Sequence, residues 1–253
     1  MLREVRALGA KRVRRDRRLL VAEGEDLIGE ALGRGIHPRA MLVDAERVDD
    51  DDPLLAATAD LDERYRVATD LMARVSTLAA PPRMIAVLPQ PGPHSFRDVP
   101  MPPRIGVWLA GVGDPGNVGT LVRTTAALGG DWLALGPGSA DAFHPRAVRA
   151  AMGATFAIPV LEGVAAGDLA TRTGFTVAAA VPRGGVPPWE ADLRGPTVLA
   201  LGAERAGLDP TLEELARALP VVRLTIPQAD GSESLNVAAA GAALLSEITR
   251  QRQ

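Results

Sequence analysis

RIGVWLAGVGDPGNVGTLVRTTAALGGDWLALG, residues 104–136, contains the alternation that decides the fold. RIGVWLA and DWLALG are short apolar runs typical of buried strands, and NVGTLVRTTAALGG between them has the length of a helix and ends in two glycines. Near-continuous apolar strands separated by helices indicate a parallel sheet that is covered on both faces. The stretch therefore predicts a strand, a helix and a second strand of an α/β fold.

The alternation continues toward the C-terminus. PRAVRAAMGA (145–154) predicts a helix and TFAIPV (155–160) a strand, and three later apolar runs predict further strands, FTVAAAV (175–181), TVLALGAE (197–204) and VVRLTIP (221–227). In parallel sheets of this kind, ligands bind beyond the carboxyl ends of the strands. The segments that follow the strands are therefore where we expect the chemistry.

A proline-rich segment divides the chain. Residues 88–104, LPQPGPHSFRDVPMPPR, contain six prolines, which is typical of an extended connector. Before it, RLLVAEGEDLIGEALGRG reads as a strand and a helix, AMLVDAE as a strand and MIAVLP as a closing strand. We therefore predict a small α/β domain at 1–90, a linker at 91–103 and a larger α/β domain with a parallel sheet at 104–253.

Composition limits the class of protein. The chain of 253 residues is 47% hydrophobic and 23% charged, which is ordinary for a globular protein, and no apolar run approaches the roughly 20 residues of a membrane helix. The start, MLREVRALGAKRVRR, lacks the apolar centre of a signal peptide, so we expect a cytoplasmic protein. The absence of cysteine excludes thiolate catalysis and cysteine zinc sites, and His37, His94 and His144 are far apart, so we predict no metal site.

Charge is distributed unevenly along the chain. The net charge of −3 argues against a non-specific nucleic-acid binder, but eight of the first 18 side chains are basic, and the acidic excess collects in DAERVDDDDP (44–53). A basic segment on an acidic chain can bind phosphates, yet the same pattern is found on a solvated helix face. Charge alone leaves both interpretations open.

The glycines after the first quoted strand raise the alternative of a dinucleotide-dependent oxidoreductase. Gly111 to Gly116, GVGDPG, match G-x-G-x-x-G and lead into a helix, and Asp131 has the spacing of an acidic residue that would bind a ribose. Asp131, however, stands at the start of its strand, and Pro115 removes an N–H from the loop that would cradle the pyrophosphate. The motif is weak in this context and remains the competing enzyme class.

Three separated segments share one family pattern. DPGNVGTLVRTTAALGG (114–130), LGAERAGL (201–208) and IPQADGSESLNVAAAGAALLSE (226–247) together resemble, in order and spacing, the three signature motifs of the SpoU/TrmH-type RNA 2′-O-methyltransferases in the SPOUT superfamily. VAEGEDLIGEAL (21–32) and PPRMIAVLPQP (81–91) look like the small RNA-binding domain that precedes the catalytic domain in many members. The resemblance implies a trefoil-knotted α/β domain, S-adenosylmethionine as cofactor, an RNA substrate and a homodimer.

The resemblance also implies a set of site residues. Those implied at the reaction centre are Asn117, Arg123, Glu204, Ser234 and Asn236. Those implied around S-adenosylmethionine are Leu201, Gly202, Ala203, Ile226, Ser234, Leu235, Asn236 and Ala238. An arginine common in the class, together with the basic N-terminal segment, gives the predicted RNA contacts Arg149, Arg146, Arg12, Arg14 and Arg15. Without the resemblance, we would interpret Asn117, Ser234 and Asn236 only as helix N-caps.

Methyl transfer from a sulfonium to a ribose hydroxyl requires in-line placement of the two atoms and a proton acceptor. In the family an arginine at the Arg123 position is proposed as general base, but a guanidinium stays protonated at any accessible pH, so a phosphate clamp is the alternative role. The extra N-terminal domain favours ribosomal RNA over transfer RNA, which is the alternative substrate. An RNA-binding protein that keeps the fold without catalysis is a third possibility, against which the complete set of reaction-centre residues argues.

Overall fold

The computed structural model describes residues 1–92, 95–204, 206–229 and 234–253. Residues 93–94 of the predicted linker, Arg205 of the second motif and residues 230–233 of the third motif lie outside the described residues. The chain forms two compact units. The N-terminal unit contains Met1–Pro91 and Phe143–Ala157, and the C-terminal unit contains Gly92–Ala142 and Ile158–Gln253.

Helices and strands alternate along most of the chain. Through residue 91 they are α1 (Leu2–Ala7), α2 (Lys11–Arg17), β1 (Leu19–Glu23), α3 (Glu25–Gly33), β2 (Ala40–Asp44), α4 (Pro53–Ala57), β3 (Arg64–Val67), α5 (Thr69–Val75) and β4 (Met84–Pro89). Later elements are β5 (Ile105–Ala110), α6 (Pro115–Ala127), β6 (Trp132–Leu135), α7 (Pro145–Ala151), β7 (Val160–Glu162), α8 (Ala166–Ala170), β8 (Thr176–Ala180), β9 (Thr197–Gly202), α9 (Asp209–Ala218), β10 (Val221–Leu224) and α10 (Val237–Arg250). Short 3-10 turns occur at Ala154–Phe156 and Pro188–Glu190.

The N-terminal unit is built on a four-stranded mixed sheet. Its strand order is β1-β4-β2-β3, with β4 antiparallel to both neighbours and β3 parallel to β2. Apolar side chains from α1 and α5 cover one face of the sheet, and those from α3, α4 and α7 cover the other. The segment Phe143–Ala157 therefore belongs to this unit, although it lies within the sequence that we assigned to the larger domain.

The C-terminal unit is built on a six-stranded sheet in which all strands are parallel. The strand order is β10-β8-β9-β5-β6-β7. The predicted α/β fold with a parallel sheet is confirmed. Because β9 lies between β8 and β5 and is parallel to both, the carboxyl ends of these three strands lie side by side.

Two tryptophans form the centre of this core. Trp108 and Trp132 are 1% and 0% exposed, and the Trp108 indole N–H donates to the carbonyl oxygen of Val164 at 2.8 Å. Gly106 lies opposite Trp132 in the β5–β6 pair, where a Cβ atom would come within 2.5 Å of the indole ring. Only glycine leaves room for the ring at that position.

The proline-rich segment packs on the C-terminal unit rather than extending as a free connector. Val99 is buried in the core of that unit, and the Phe96 ring meets the Trp132 ring edge to face with centroids 5.4 Å apart. The Arg172 guanidinium lies 5.5 Å from the Phe96 ring centroid and donates to the Phe96 carbonyl oxygen at 3.0 Å. The segment is therefore fixed by aromatic and cation–π contacts that proline content did not predict.

The strand predicted at 155–160 is wrong over most of its length. Met152 and Gly153 have positive φ values of 48° and 83°, which end α7, and the next three residues form a 3-10 turn that buries Phe156 in the N-terminal unit. Pro159 has no N–H for a strand ladder, so the strand begins only at Val160.

Hydrogen bonds close the amino edge of the parallel sheet, where the strands begin. The Arg252 guanidinium donates to the carbonyl oxygens of Leu193, Arg104 and Gly195, and burial lowers the pKa of Arg252. The Gln251 side chain accepts the Leu193 N–H at 2.9 Å. These bonds fix the end of α10.

Within the described ranges no helix is long and apolar enough to cross a membrane.

Candidate active site

Three chain segments meet at the carboxyl edge of the parallel sheet. They are the turn from β5 into α6, the turn that follows β9, and the residues that lead into α10. These are the segments that carry the three predicted motifs. Because β5 and β9 are adjacent parallel strands, their carboxyl ends bring the first two segments together.

The start of α6 is held by side chains on both sides of the turn. The Asp114 carboxylate accepts the Asn117 N–H at 2.9 Å, which caps the helix, and Pro115 occupies its first turn. The Ser139 hydroxyl accepts the Gly111 N–H at 3.1 Å and donates to the Leu109 carbonyl oxygen at 2.9 Å. Asn117 is therefore presented from a fixed helix end.

This geometry contradicts the dinucleotide-binding alternative. The Asp114 carboxylate lies at the N-terminus of α6, where a pyrophosphate would have to bind, and two negative groups repel each other there. Asp131 accepts the N–H groups of Arg104 and Ile105 at the amino edge of the sheet, away from the carboxyl ends. Asp114 therefore disfavours a pyrophosphate at the start of α6, and Asp131 is not placed to bind a ribose at the carboxyl edge.

Asn117, Glu204 and Asn236 form one hydrogen-bond network, which we call the amide–carboxylate network. The Asn117 side-chain amide donates to Glu204 Oε1 at 2.9 Å. The Asn236 amide donates to Asn117 Oδ1 at 3.1 Å and lies 3.5 Å from Glu204 Oε1. Three residues that are far apart in sequence are thus brought into direct contact.

Asn236 also caps the last helix. Its Oδ1 atom accepts the N–H groups of Ala238 and Ala239 at 2.9 and 3.3 Å, while its amide nitrogen faces the network. Each end of the side-chain amide therefore has its own partner. The Asn236 side chain therefore both caps α10 and takes part in the amide–carboxylate network.

A cavity adjoins the network. Its volume is about 190 Å³. Its lining includes six of the eight residues predicted around the cofactor, namely Leu201, Gly202, Ala203, Ile226, Ser234 and Leu235. Glu204 also lines it, whereas Asn236 and Ala238 do not. Ala238 is buried in α10, so its predicted cofactor contact is not supported by its position.

Glycines allow the backbone to close around this cavity. A Cβ atom on Gly202 would lie 2.2 Å from the Gly207 carbonyl carbon, so the turn after β9 requires glycine at this position. On α10, a Cβ atom on Gly241 would lie 2.4 Å from a Leu121 methyl group and 2.9 Å from a Leu201 methyl group. Gly241 therefore permits α10 to pack closely on α6 and β9.

Arg123 is not brought into the cavity. It lies on α6 about 9 Å along the helix axis from Asn117, because six residues separate them at about 1.5 Å each. Its side chain is exposed, does not line the cavity, and has no hydrogen bond or ion pair to any residue that the structure describes. Of the five predicted reaction-centre residues, four gather at the cavity and its rim, and Arg123 stands apart.

The predicted RNA-contacting arginines fall into two groups on the N-terminal unit. Arg12 and Arg15 are exposed on α2, and Arg12 pairs with Asp16 at 3.5 Å. Arg146 is exposed and Arg149 half-buried on α7, where Arg149 has no side-chain partner among the described residues.

The structure contradicts the prediction for Arg14. Its side chain is 1% exposed, and its guanidinium donates to the carbonyl oxygens of Leu8 and Gly9 at 2.6 and 2.8 Å. A buried arginine that satisfies the turn between α1 and α2 cannot reach RNA. Its role is structural, because its guanidinium satisfies two carbonyl groups of this turn.

Sequence reasoning missed several cavity residues. Ala180, Val181 and Pro182 line the cavity at the end of β8, and Leu224 and Val237 lie on other walls. The sequence predicts β8 as a strand, and ligands bind beyond strand ends, so the residues at the end of β8 were predictable as cavity residues. Their apolar side chains carry no chemical signal of their own.

Two family models match the chain. The SpoU rRNA Methylase family matches residues 104–246, and the MRM3-like substrate binding domain matches residues 1–86.

Curated relatives and a solved structure agree with these matches. The chain is 30% identical over 255 residues to the 23S rRNA (guanosine(2553)-2'-O)-methyltransferase RlmP of Bacillus subtilis (strain 168), covering 98% of this chain and 95% of the relative. It is 30% identical over 199 residues to the 23S rRNA (uridine(2479)-2'-O)-methyltransferase of Streptomyces viridochromogenes, covering 75% and 68%. It superposes on the crystal structure of the SpoU methyltransferase AviRb from Streptomyces viridochromogenes in complex with AdoMet, with a TM-score of 0.87, 26% identity, and 99% and 97% of the two chains covered.

Proposed function

Because the chain belongs to the SpoU rRNA methylase family, we propose that its cavity and amide–carboxylate network transfer a methyl group from S-adenosylmethionine to a ribose 2′-hydroxyl of RNA. The family predicted from the three motifs is confirmed. The observation that carries the proposal is the convergence of Asn117, Glu204 and Asn236, one from each motif, beside a cavity at the carboxyl edge of the sheet.

The lining of the cavity fits S-adenosylmethionine. Leu201, Leu224 and Ile226 give apolar walls suited to an adenine ring, and Gly202 lets the backbone approach closely. The Glu204 carboxylate at the wall favours a positively charged ligand over the pyrophosphate of a dinucleotide. When bound, S-adenosylmethionine supplies a methyl group on a positively charged sulfur.

The amide–carboxylate network holds the target ribose in place. Asn117 and Asn236 keep Glu204 in one orientation, and the capped starts of α6 and α10 keep the two amides fixed. A site whose polar groups are already oriented loses little entropy when the substrate binds, which favours the in-line arrangement of donor and acceptor. Ser234 contributes a hydroxyl on the cavity wall.

Arg123 binds a phosphate of the RNA near the target nucleotide. Its exposure and lack of a partner in the described part of the chain leave its guanidinium available for a bidentate contact. This role suits its position on α6 outside the cavity better than contact with the reacting hydroxyl.

The N-terminal unit carries the remaining RNA contacts. We assign phosphate contacts to four cations, Arg12 and Arg15 on α2 and Arg146 and Arg149 on α7. Arg14 is not among them, because its side chain is buried. Ribosomal RNA is the favoured substrate, because the two curated relatives described above are named for methylation of 23S rRNA and the first 86 residues match a substrate binding domain. Transfer RNA is the alternative.

We also propose the trefoil knot, the homodimer and the cytoplasmic location that the resemblance implies. The close packing of Gly241 on Leu121 and Leu201 supports a tightly enclosed C-terminal helix. An RNA substrate supports a location where ribosomes are assembled.

Methyl transfer to defined RNAs tests the proposal. Purified protein, methyl-labelled S-adenosylmethionine and either protein-free ribosomal RNA, ribosomal subunits or transfer RNA are incubated, and ribose methylation is mapped. Label in a ribose of one ribosomal RNA is the expected result. Label only in transfer RNA selects the alternative substrate, and no label in any RNA, with the cofactor bound, contradicts the proposed function.

Arg123→Ala should reduce methyl transfer at least about 100-fold while leaving the S-adenosylmethionine dissociation constant within about threefold, because the guanidinium orients RNA outside the cofactor cavity. Calorimetry gives the dissociation constant, and filter binding of labelled product gives the rate. Arg217→Ala is the matched control, since Arg217 is an exposed arginine paired with Glu213 on α9. Wild-type activity in Arg123→Ala would contradict the assigned role.

A further inference from the structure

We infer that Glu204 is the group that accepts the proton of the ribose hydroxyl, through its Oε2 atom, an inference that rests on the proposed function. The side chain is placed at the cavity wall by the turn that follows β9. In this assignment the general base is the Glu204 carboxylate in the network and not Arg123 on α6.

The two oxygen atoms of Glu204 have different environments. Oε1 accepts the Asn117 amide at 2.9 Å and lies 3.5 Å from the Asn236 amide nitrogen. Oε2 has no hydrogen bond within residues 1–92, 95–204, 206–229 and 234–253, and the side chain is exposed. One oxygen therefore anchors the carboxylate, and the other has no partner in the described part of the chain.

Glu204 is also distinguished by its chemistry. Among the described residues that line the cavity, it is the only one with an ionisable side chain. Asp114 is engaged in capping α6, and Arg123 lies outside the cavity. A guanidinium keeps its proton and has no acceptor atom, whereas an ionised carboxylate is an acceptor only. Among the described residues at the site, Glu204 is therefore the one that can act as the acceptor.

The reaction balances with this assignment. The ribose oxygen forms its new bond to the methyl carbon as the bond between that carbon and sulfur breaks, and the electron pair of the broken bond remains on sulfur. The hydroxyl proton passes to Glu204 Oε2. The products are the methylated ribose, a neutral thioether and a protonated carboxyl group, which returns its proton to solvent because the side chain is exposed.

Glu204→Gln separates proton acceptance from orientation. A glutamine keeps an oxygen that can accept the Asn117 amide, but it cannot take a proton. We expect the rate of methyl transfer at saturating substrates to fall about 100-fold or more, which is the usual contribution of a general base. The dissociation constants for S-adenosylmethionine, by calorimetry, and for RNA, by filter binding, should stay within about threefold. Glu213→Gln on α9, an exposed glutamate of the same unit, is the matched control.

Glu204→Ala adds a second readout. Formate supplied in solution should restore part of its activity in a concentration-dependent manner, because a small carboxylate can occupy the vacated space and accept the proton. Formate should not affect Glu204→Gln.

The outcomes separate this inference from the proposed function. If wild-type protein transfers no methyl group to any RNA, the proposed function fails. If wild-type protein is active and Glu204→Gln keeps more than about a tenth of its rate, or formate leaves Glu204→Ala inactive while both variants bind cofactor and RNA, only the assignment of Glu204 is overturned.

Discussion

At the amino edge of the parallel sheet, Arg252 and Gln251 bond mainly to backbone groups, whereas at the carboxyl edge three side chains also bond to one another. Arg252 and Gln251 bind backbone groups of residues that precede or begin β5 and β9. At the other edge Asn117, Glu204 and Asn236 form a network whose free atoms face a cavity. The same strands and the same helix α10 therefore have one end that secures the fold and one end that is open to ligands, and variants at the two ends should have separable effects.

The largest expected effect is at the carboxyl edge. Gly202→Ala places a Cβ atom 2.2 Å from the Gly207 carbonyl carbon, so the turn that forms the cavity wall must shift. Overpacking of this kind costs about 1–3 kcal/mol, and we expect S-adenosylmethionine affinity to fall about 10- to 100-fold, measured by calorimetry.

Gly195→Ala is the matched control at the amino edge. No atom of the described residues lies within 4 Å of a Cβ atom at that position, so cofactor affinity should stay at the wild-type value. Equal losses of affinity in the two variants would contradict the division between the edges.

A smaller effect is expected from Arg252→Ala at the amino edge. The variant removes the donors that bind carbonyl oxygens of Arg104, Gly195 and Leu193, and the free energy of unfolding in urea should fall by about 2 kcal/mol. Arg250→Ala, which removes an exposed ion pair with Glu247 on the same helix, should change it little. The turnover rate of folded Arg252→Ala should remain near the wild-type value; a loss of turnover with unchanged stability would break the comparison.

The smallest effect concerns acid stability at the end of α10. Hydrogen bonds from Arg250 and Gln251 lower the pKa of Glu247 from 4.5 to about 2. A pKa that is lower in the folded state gives a contribution that is present above about pH 4.5 and is lost as the pH falls from 4.5 toward 2. Glu247→Gln should be less stable than wild type by less than about 1 kcal/mol at pH 7, and the difference should shrink as the pH falls toward 2. Urea unfolding across this pH range checks the prediction, and a difference that grows on acidification would contradict it.

The sequence predicted the parallel sheet and the meeting of the three motifs for a physical reason. Strand ends in a parallel sheet lie at one edge, so residues placed directly after β5 and β9 must be neighbours. Glu204 follows β9 by two residues, and Asn117 lies in the first turn of α6, which the turn after β5 leads into. Asn236 is predicted from the family pattern. Contacts of this kind follow from local position and from motif order.

The remaining features depend on contacts that sequence patterns do not encode. Arg14 stands among exposed arginines of the same type, and only the turn between α1 and α2 directs its side chain inward. Ala180 and Pro182 carry no polar signal, although they line the cavity. Arg123 shares a helix with Asn117, but the rise of that helix carries it away from the cavity. Charge, polarity and spacing along the chain do not predict these outcomes.

The assignment of Phe143–Ala157 to the N-terminal unit affects how this protein can be divided. A fragment ending at residue 91 would lack Phe143, Val148 and Phe156, which pack with Leu27 and Ile28 in the core of that unit. Such a fragment would expose an apolar surface and should aggregate when produced alone. Transplanting the N-terminal unit onto another protein therefore requires moving two stretches of sequence, Met1–Pro91 and Phe143–Ala157.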